Sequence, residues 1–419
     1  MIKVEKIIPG GQALATLEDG KKAFFWNALP GEEVLEYQIT KNKSHYLEAI
    51  ATSVTNHSPY RVEPKDDCFL STSPWQIIEY GYELKLKQEL VIELFREHQI
   101  EITTPEINTD FKDYFYRNKM EYALFWNNDL NKISLAFHTR GSHRKIPINK
   151  SSIERPEIFK KATEIVEELN VKHAEARTYQ SLLLRCNQQG KVSGGLYENK
   201  KPHPQFQKLT DKVLNREYSY SPNGFFQINL PVYEMALQDI KKHISSDEVL
   251  DLYSGVGTIG LSVANDKTLT LVECDKFAFQ EMVNNITIED RTRLTRSGMS
   301  DAPPVTTGRS ECVRNSDIIN HTIQNGNLLA ILSKSENALT YIAPSQTVIL
   351  DPPRAGCDKK LIDKLLEVTP QKIIYLSCNP ATQARDTKAL LAKYHIEEIK
   401  TFNFFPHTPH IENLIVLSL

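Results

Sequence analysis

The chain has 419 residues, of which 40% are hydrophobic and 25% charged, with a formal net charge of −3. That length exceeds what one core organises, so two or three domains are expected, and the near-neutral charge excludes a globally basic nucleic-acid binder, leaving any such surface local. No apolar run approaches the roughly eighteen residues of a membrane span, the N-terminus lacks a secretory layout, and six scattered cysteines without a CxxC pair argue against a disulfide framework or a zinc site and for a reducing cytoplasm.

Short alternating runs separated by Gly-rich turns occupy residues 1–60: Lys3–Ile8, Ala13–Leu17, Lys22–Trp26, Glu33–Ile39 and Tyr46–Ile50. Five strands in so short a span predict a small closed barrel of the OB type. Lys41, Lys43, His45 and Tyr46 are its candidates for gripping a single strand, against the alternative of plain solvated charge. A linker over 61–74 leads to an amphipathic helix at about 76–98, whose apolar face is Ile77, Tyr80, Leu84, Val91, Leu94 and Phe95. A mixed α+β stretch continues to about residue 215. It holds two basic clusters, Tyr116-Arg117-Asn118-Lys119 and Thr139–Lys145, which are either phosphate grips or solvated loops, and a helix opening at Pro156.

Beyond residue 216 strands and helices alternate, the pattern of a parallel α/β sheet. Strands are expected at Glu248–Tyr253, Leu269–Cys274, Thr347–Asp351 and Lys372–Cys378, with an antiparallel end from Ile396–Phe405 and Leu414–Leu419. Helices fall near 231–244, 358–367 and 381–393. Residues 289–317, poor in large apolar groups, look like a mobile insertion.

Chemistry concentrates at the strand ends of this last region. Gly255-Val256-Gly257-Thr258-Ile259-Gly260 is a glycine turn after a strand, with Glu273 about twenty residues on, an arrangement that lets a nucleotide approach the backbone while the acid bonds ribose. It fits NAD as well as S-adenosylmethionine; Asp251 and Tyr253 favour the second, a ligand with an ammonium and no pyrophosphate. Asp351-Pro352-Pro353-Arg354 makes a rigid extended turn presenting Asp351 to a flat substrate. Cys378 ends a strand before Asn379-Pro380 and a helix, where the dipole is expected to lower the thiol pKa. In Phe405–Glu412, His407 and His410 with Cys378 compose a metal reading; a single base, Glu412, is preferred because two prolines stiffen the loop and no second cysteine is at hand.

Together these segments, with Phe225-Phe226-Gln227-Ile228-Asn229 and Tyr116–Lys119, resemble the RNA uracil-5 methyltransferase family, and the first sixty residues resemble the TRAM module many members carry. The resemblance implies an α/β fold with a Rossmann-like methyltransferase domain (216–419), a central α+β RNA-recognition domain (61–215) and an N-terminal OB-like barrel (1–60). It implies Gln227, Tyr253, Thr258, Glu273 and Asp351 around S-adenosylmethionine, although Thr258 stands where relatives often have asparagine. Cys378 is the implied nucleophile for carbon 6 of uracil and Glu412 the implied acceptor of the carbon-5 proton. The base must leave its stack to reach both. The related cytosine-5 enzymes place a cysteine inside the Asp-Pro-Pro-Arg motif, which is absent here, so uracil is favoured.

Many relatives ligate a [4Fe–4S] cluster through a C-x5-C-G-G-C pattern and a distant fourth cysteine. Here the region reads Cys68-Phe69-Leu70-Ser71-Thr72-Ser73-Pro74-Trp75, and the fourth position falls at Ser151-Ser152, so no iron–sulfur cluster is expected. The expected partner is RNA, ribosomal in preference to transfer RNA, acted on by a monomer with no membrane association. A nicotinamide dehydrogenase and a non-catalytic RNA-binding protein are the competing readings.

Overall fold

Alternation closes the first sixty residues on themselves. β1 (Ile2–Ile7) buries Val4 and Ile7, β2 (Ala13–Thr16) buries Ala13 and Ala15, and β3 (Lys22–Trp26) buries Ala23 and Phe25, while the residues between them face outward. With β4 (Glu33–Asn42) and β5 (Tyr46–Thr55) they form the expected closed barrel, in the order β1-β2-β3-β5-β4. Closure leaves no free strand edge. The structure is a computed structural model describing residues 1–175, 177–198, 201–203, 206–286, 322–325 and 327–419; the insertion expected at 289–317 lies outside the described residues.

After a single turn of helix, α1 (Phe69–Thr72), comes α2 (Tyr80–Glu97), whose first turn is capped by the Glu79 carboxylate accepting from the backbone nitrogens of Gly81 and Tyr82 at 2.9 and 2.8 Å. Its buried face is Leu86, Leu90, Val91, Leu94 and Phe95 together with Glu83 and Lys87; Leu84, expected inside, is only partly buried. β6 (Glu106–Asn108) follows. Six antiparallel strands then form a sheet in the order β12-β11-β10-β7-β8-β9, from β7 (Lys119–Asn127), β8 (Lys132–His138), β9 (Lys145–Pro147), β10 (Ser181–Cys186), β11 (Val192–Glu198) and β12 (Lys201–His203). Its face is covered by α3 (Pro156–Val171), which starts on Pro156 as its sequence predicts and packs Ile158, Ala162 and Val166 against Tyr122, Leu124 and Leu182. A hairpin of β13 (Leu209–Val213) and β14 (Arg216–Tyr220) leads out of this region.

The remaining elements build one nine-stranded sheet. They are α4 (Leu230–Lys242), β15 (Glu248–Leu252), α5 (Thr258–Val263), β16 (Thr268–Glu273), α6 (Lys276–Asn285), β17 (Thr322–Asn325), β18 (Leu328–Leu332), β19 (Thr347–Leu350), α7 (Lys359–Val368), β20 (Lys372–Ser377), α8 (Pro380–Leu390), β21 (His395–Phe402) and β22 (Glu412–Ser418). The strand order is β17-β18-β16-β15-β19-β20-β22-β21-β6. From β18 to β20 the strands are parallel and are near-continuous buried apolar runs, as a sheet covered on both faces requires. Two elements from the stretch 61–215 join this body: β6 pairs in parallel with β21, and α2 shares a core with β20 and α8. From β15 the chain moves to β16 on one side, and later to β19 on the other. That reversal is the switch point where open α/β sheets leave a crevice beyond the strand ends.

Candidate active site

Register alone brings the strand-end motifs together. Leu252 of β15 pairs with Leu350 of β19, so the glycine turn and Asp351 leave the sheet side by side. Leu350 in turn aligns with Tyr375 of β20, and Ser377 pairs antiparallel with Asn413. Cys378 and Glu412, the next residue out on each strand, therefore emerge as neighbours at the same edge.

The glycine turn is pinned from below by acids. Gly257 adopts φ +84 as the cap of α5, and a Cβ there would meet Leu261 at 2.8 Å. A Cβ on Gly255, by contrast, would meet nothing within 4 Å, so the outer face of the turn is open to a ligand. Glu273 accepts from the Gly255 nitrogen at 2.8 Å and from the Asp275 nitrogen at 2.6 Å. Asp251 is wholly buried and accepts from the Gly260 nitrogen at 2.9 Å. The sequence suggested that Asp251 met a ligand ammonium; it instead closes the turn beneath the site, and burial, with Asp351 and Glu273 nearby, pushes its pKa up to about 8. Tyr253 stands beside the turn at φ +66, half-buried against the core. Thr258 is buried as the first residue of α5. Gln227 comes from the segment between β14 and α4, its carbonyl accepting from Asn118 Nδ2 at 3.0 Å.

At the nucleophile end the structure corrects the sequence. The Cys378 thiol is not lowered by the helix it precedes. Burial, followed by the facing carboxyls of Glu412 and Asp351, pushes it up to about 11, while Arg354 opposes them by its charge and a side-chain hydrogen bond to the thiol. Desolvation of a thiolate outweighs one helix terminus. Glu412 and Asp351 are themselves pushed well up, first by burial and, for Glu412, by Asp351 as well. Arg354 is the residue the sequence reading passed over. Its guanidinium lies 3.0 Å from His410 Nδ1, and its carbonyl is held by Asn379 Nδ2 at 2.8 Å and by the Thr382 hydroxyl at 3.3 Å. It stood in plain view in the motif read only for Asp351.

The two histidines turn to different partners. His407 Nε2 faces Asp113 at 3.2 Å and its backbone nitrogen donates to Glu83 at 2.9 Å; His410, kept neutral by burial and by Arg354 with its pKa lowered to about 4, faces Arg354. Among the described residues no group of three or more His, Cys, Asp or Glu could hold a metal ion. In the segment compared with a cluster site, Cys68 is a buried thiol pushed up to about 12 by burial and Asp66, while Asp66 bonds the Ser152 hydroxyl at 2.7 Å and Gln76 at 2.9 Å.

Both basic clusters supply internal ties, while His143 and Arg144 of the second stay exposed. Asn118 accepts from Arg185 and, through its own amide, holds Gln227; Lys119 donates to the carbonyls of Asn223 and Gly224 at 3.2 and 3.0 Å. The Tyr116 hydroxyl donates to the Pro406 carbonyl at 3.0 Å. Arg140 lies 4.2 Å over the Trp26 ring of the barrel and donates to Leu70. In the barrel, Lys41 pairs with Glu48 at 2.9 Å and sits over Tyr46.

Comparison with known proteins agrees with this architecture. Residues 338–419, from the approach to β19 through β22, match the family model of tRNA (uracil-5-)-methyltransferases. Proteins named only as RNA methyltransferases resemble nearly the whole chain: one from Bacillus anthracis is 24% identical over 94% of this chain and 92% of its own, one from Enterococcus faecalis 27% over 94% and 92%, and one from Treponema denticola 26% over 99% and 98%. Among solved structures, the tRNA (uracil-54, C5)-methyltransferase of Pyrococcus abyssi, in complex with S-adenosyl-L-homocysteine, shares the fold with a TM-score of 0.70 at 22% identity over all of both chains. The chain is an RNA methyltransferase. Within that class, the segment carrying Asp351, Cys378 and Glu412 is the part that matches the uracil-5 family model.

Proposed function

We propose that the protein transfers a methyl group from S-adenosylmethionine to carbon 5 of a uridine in RNA, through a covalent bond between Cys378 and carbon 6. The observation that carries this reading is the Ser377–Asn413 pairing, which sets Cys378 beside Glu412, with Asp351 and Arg354 facing both. The open outer face of Gly255 and the acid-pinned glycine turn fit the cofactor, and the fold neighbour's bound S-adenosyl-L-homocysteine supports the same ligand. Tyr253, Thr258, Glu273, Gln227 and Asp351 would hold it. S-adenosylmethionine supplies an electrophilic methyl group.

The chain's own residues do the rest. Once the Cys378 thiol has given its proton to solvent, Arg354 stabilises the thiolate against its surroundings, and the thiolate adds to carbon 6, which makes carbon 5 nucleophilic. Asp351, its pKa raised to about 7, donates in its protonated form to a ring carbonyl and stabilises the charge that develops there. Once carbon 5 carries both hydrogen and methyl, Glu412, ionised by first giving its own proton to solvent, takes the carbon-5 proton; its buried carboxylate is a stronger base than an exposed one. The carbon 6–sulfur bond then breaks and the thiolate leaves.

The N-terminal barrel supports ribosomal RNA as the substrate. Transfer RNA is the second reading, favoured by the fold neighbour's substrate. Incubation with S-adenosylmethionine and 5-fluorouridine-substituted RNA is expected to trap a complex stable to denaturant in the wild type and none in Cys378→Ala. A wild type that traps nothing sinks the mechanism. Mass-spectrometric mapping of 5-methyluridine in cells lacking the gene tells ribosomal from transfer RNA.

A further inference from the structure

A cavity of about 490 Å³ lies outside this site, where the segment leading into α4 meets the start of α3 and the end of β10. Its walls include Lys112, Phe115, Tyr116, Gln188, Asn229 and Pro231, and none of the residues assigned above to cofactor or chemistry lines it. The volume is that of an ordinary ligand pocket. The unusual part is the rim. Phe115 is 53% exposed and held at φ +57, its nitrogen donating to the Ser152 carbonyl at 2.9 Å. Four residues earlier Phe111, 76% exposed, repeats the conformation at φ +59. Left-handed backbone is disfavoured for a residue with a side chain, and both rings remain exposed. Such outliers, fixed by the surroundings, point towards function.

We propose that this cavity is a second nucleotide pocket, taking an unpaired RNA base near the target uridine in sequence, stacked on Phe115 with its phosphate facing Lys112. The inference rests on the RNA substrate proposed above and adds a subsite to it. Aromatic shelves beside a cation are how proteins hold unpaired bases. Ile228 and Asn229 in the wall directly follow Gln227, and Tyr116 in the wall bonds the Pro406 carbonyl on the loop that leads to His410 and Glu412. An occupant therefore touches both segments that serve the catalytic edge. Gln188 and Asn229 in the mixed walls offer hydrogen-bonding partners for the edge of a base.

The test uses the full-length protein with S-adenosyl-L-homocysteine and a short single-stranded RNA centred on 5-fluorouridine. Phe115→Ala is expected to raise the RNA Kd roughly 5- to 100-fold, the range for one stacked base, while leaving S-adenosyl-L-homocysteine affinity and the melting temperature unchanged. Phe115→Trp should keep wild-type affinity, and photocrosslinking from 5-iodouridine flanking the centre should reach the peptide containing Phe115. Wild-type RNA affinity in Phe115→Ala, a crosslink confined to other peptides, or no RNA binding by the wild type each overturns the pocket. If the variant loses affinity while no RNA becomes methylated, the pocket stands and the methylation reading falls; methylation by Phe115→Ala at wild-type KM does the reverse.

Discussion

Two groups of charges flank the segment 403–412, one fully buried and one part-buried, and they are built on opposite plans. On one side Glu83 and Lys87, both fully buried and one turn apart on α2, pair at 2.8 Å; Lys87 also donates to Asn403 at 2.6 Å and to the Phe405 carbonyl, and Glu83 accepts from the His407 nitrogen. Every charge there meets an opposite charge or a dipole. On the other side buried Glu412 faces part-buried Asp351, with Arg354 shared among them, Cys378 and His410. The first group fixes the loop. The second raises the pKa of both acids and of the thiol. A buried charge that is paired contributes rigidity, and one left short of partners is reserved for chemistry.

The contrast is most sharply broken at the nucleophile. Cys378→Ser is expected to lower methyl transfer by at least ~10⁴-fold with thermal stability preserved, the scale seen when a covalent nucleophile is removed; quantifying 5-methyluridine formed in vitro checks it. Glu412→Gln should slow turnover by roughly 10²- to 10⁴-fold. Unlike the cysteine variant it should accumulate a protein–RNA adduct on ordinary uridine RNA, visible on a denaturing gel. On the paired side the expected damage is to stability. Lys87→Met strands the Glu83 carboxylate and should cost about 3–5 kcal/mol in urea unfolding, much of it regained in the Glu83→Gln, Lys87→Met double variant.

The smallest effect is a slope. Asp251 titrates at about 8 in the fold against an ordinary 3.8. The folded chain therefore binds more protons than the unfolded one between those values. The stability Asp251 contributes is complete below about pH 4 and is lost as pH rises through 8. Unfolding of the ligand-free protein followed across that window should show the decline, and Asp251→Asn should flatten it. A slope identical in the variant would remove Asp251 as its source.

What could be read from the chain follows from physics that is local. The barrel strands alternate, the parallel strands run apolar, and the Asp-Pro-Pro-Arg and Ser-Cys-Asn-Pro turns declare themselves by residue type, so the fold and the strand-end motifs were legible. β6 was not, since three residues carry no period and its partner β21 lies almost three hundred positions away. Glu83 and Lys87 look like an exposed helical pair one turn apart; only packing under the 403–407 segment shows that they are inside. The Cys378 thiol was misjudged because a helix terminus is visible in sequence and desolvation is not. The internal ties of the first basic cluster were hidden for a similar reason, since nothing local to Tyr116–Lys119 reveals the carbonyls of 223–227 that it holds.

Gly11 of the barrel, at φ +91, packs so closely on the 405–412 loop that a Cβ would fall 2.2 Å from Pro409, while its carbonyl accepts from Trp75 Nε1 and the Trp75 nitrogen donates to the His407 carbonyl. The barrel is therefore a fitted part, not an interchangeable attachment. Chimaeras that exchange residues 1–60 among relatives will misfit at this seam unless the 405–412 loop travels with them, and the two stretches have to be inherited as a matched pair.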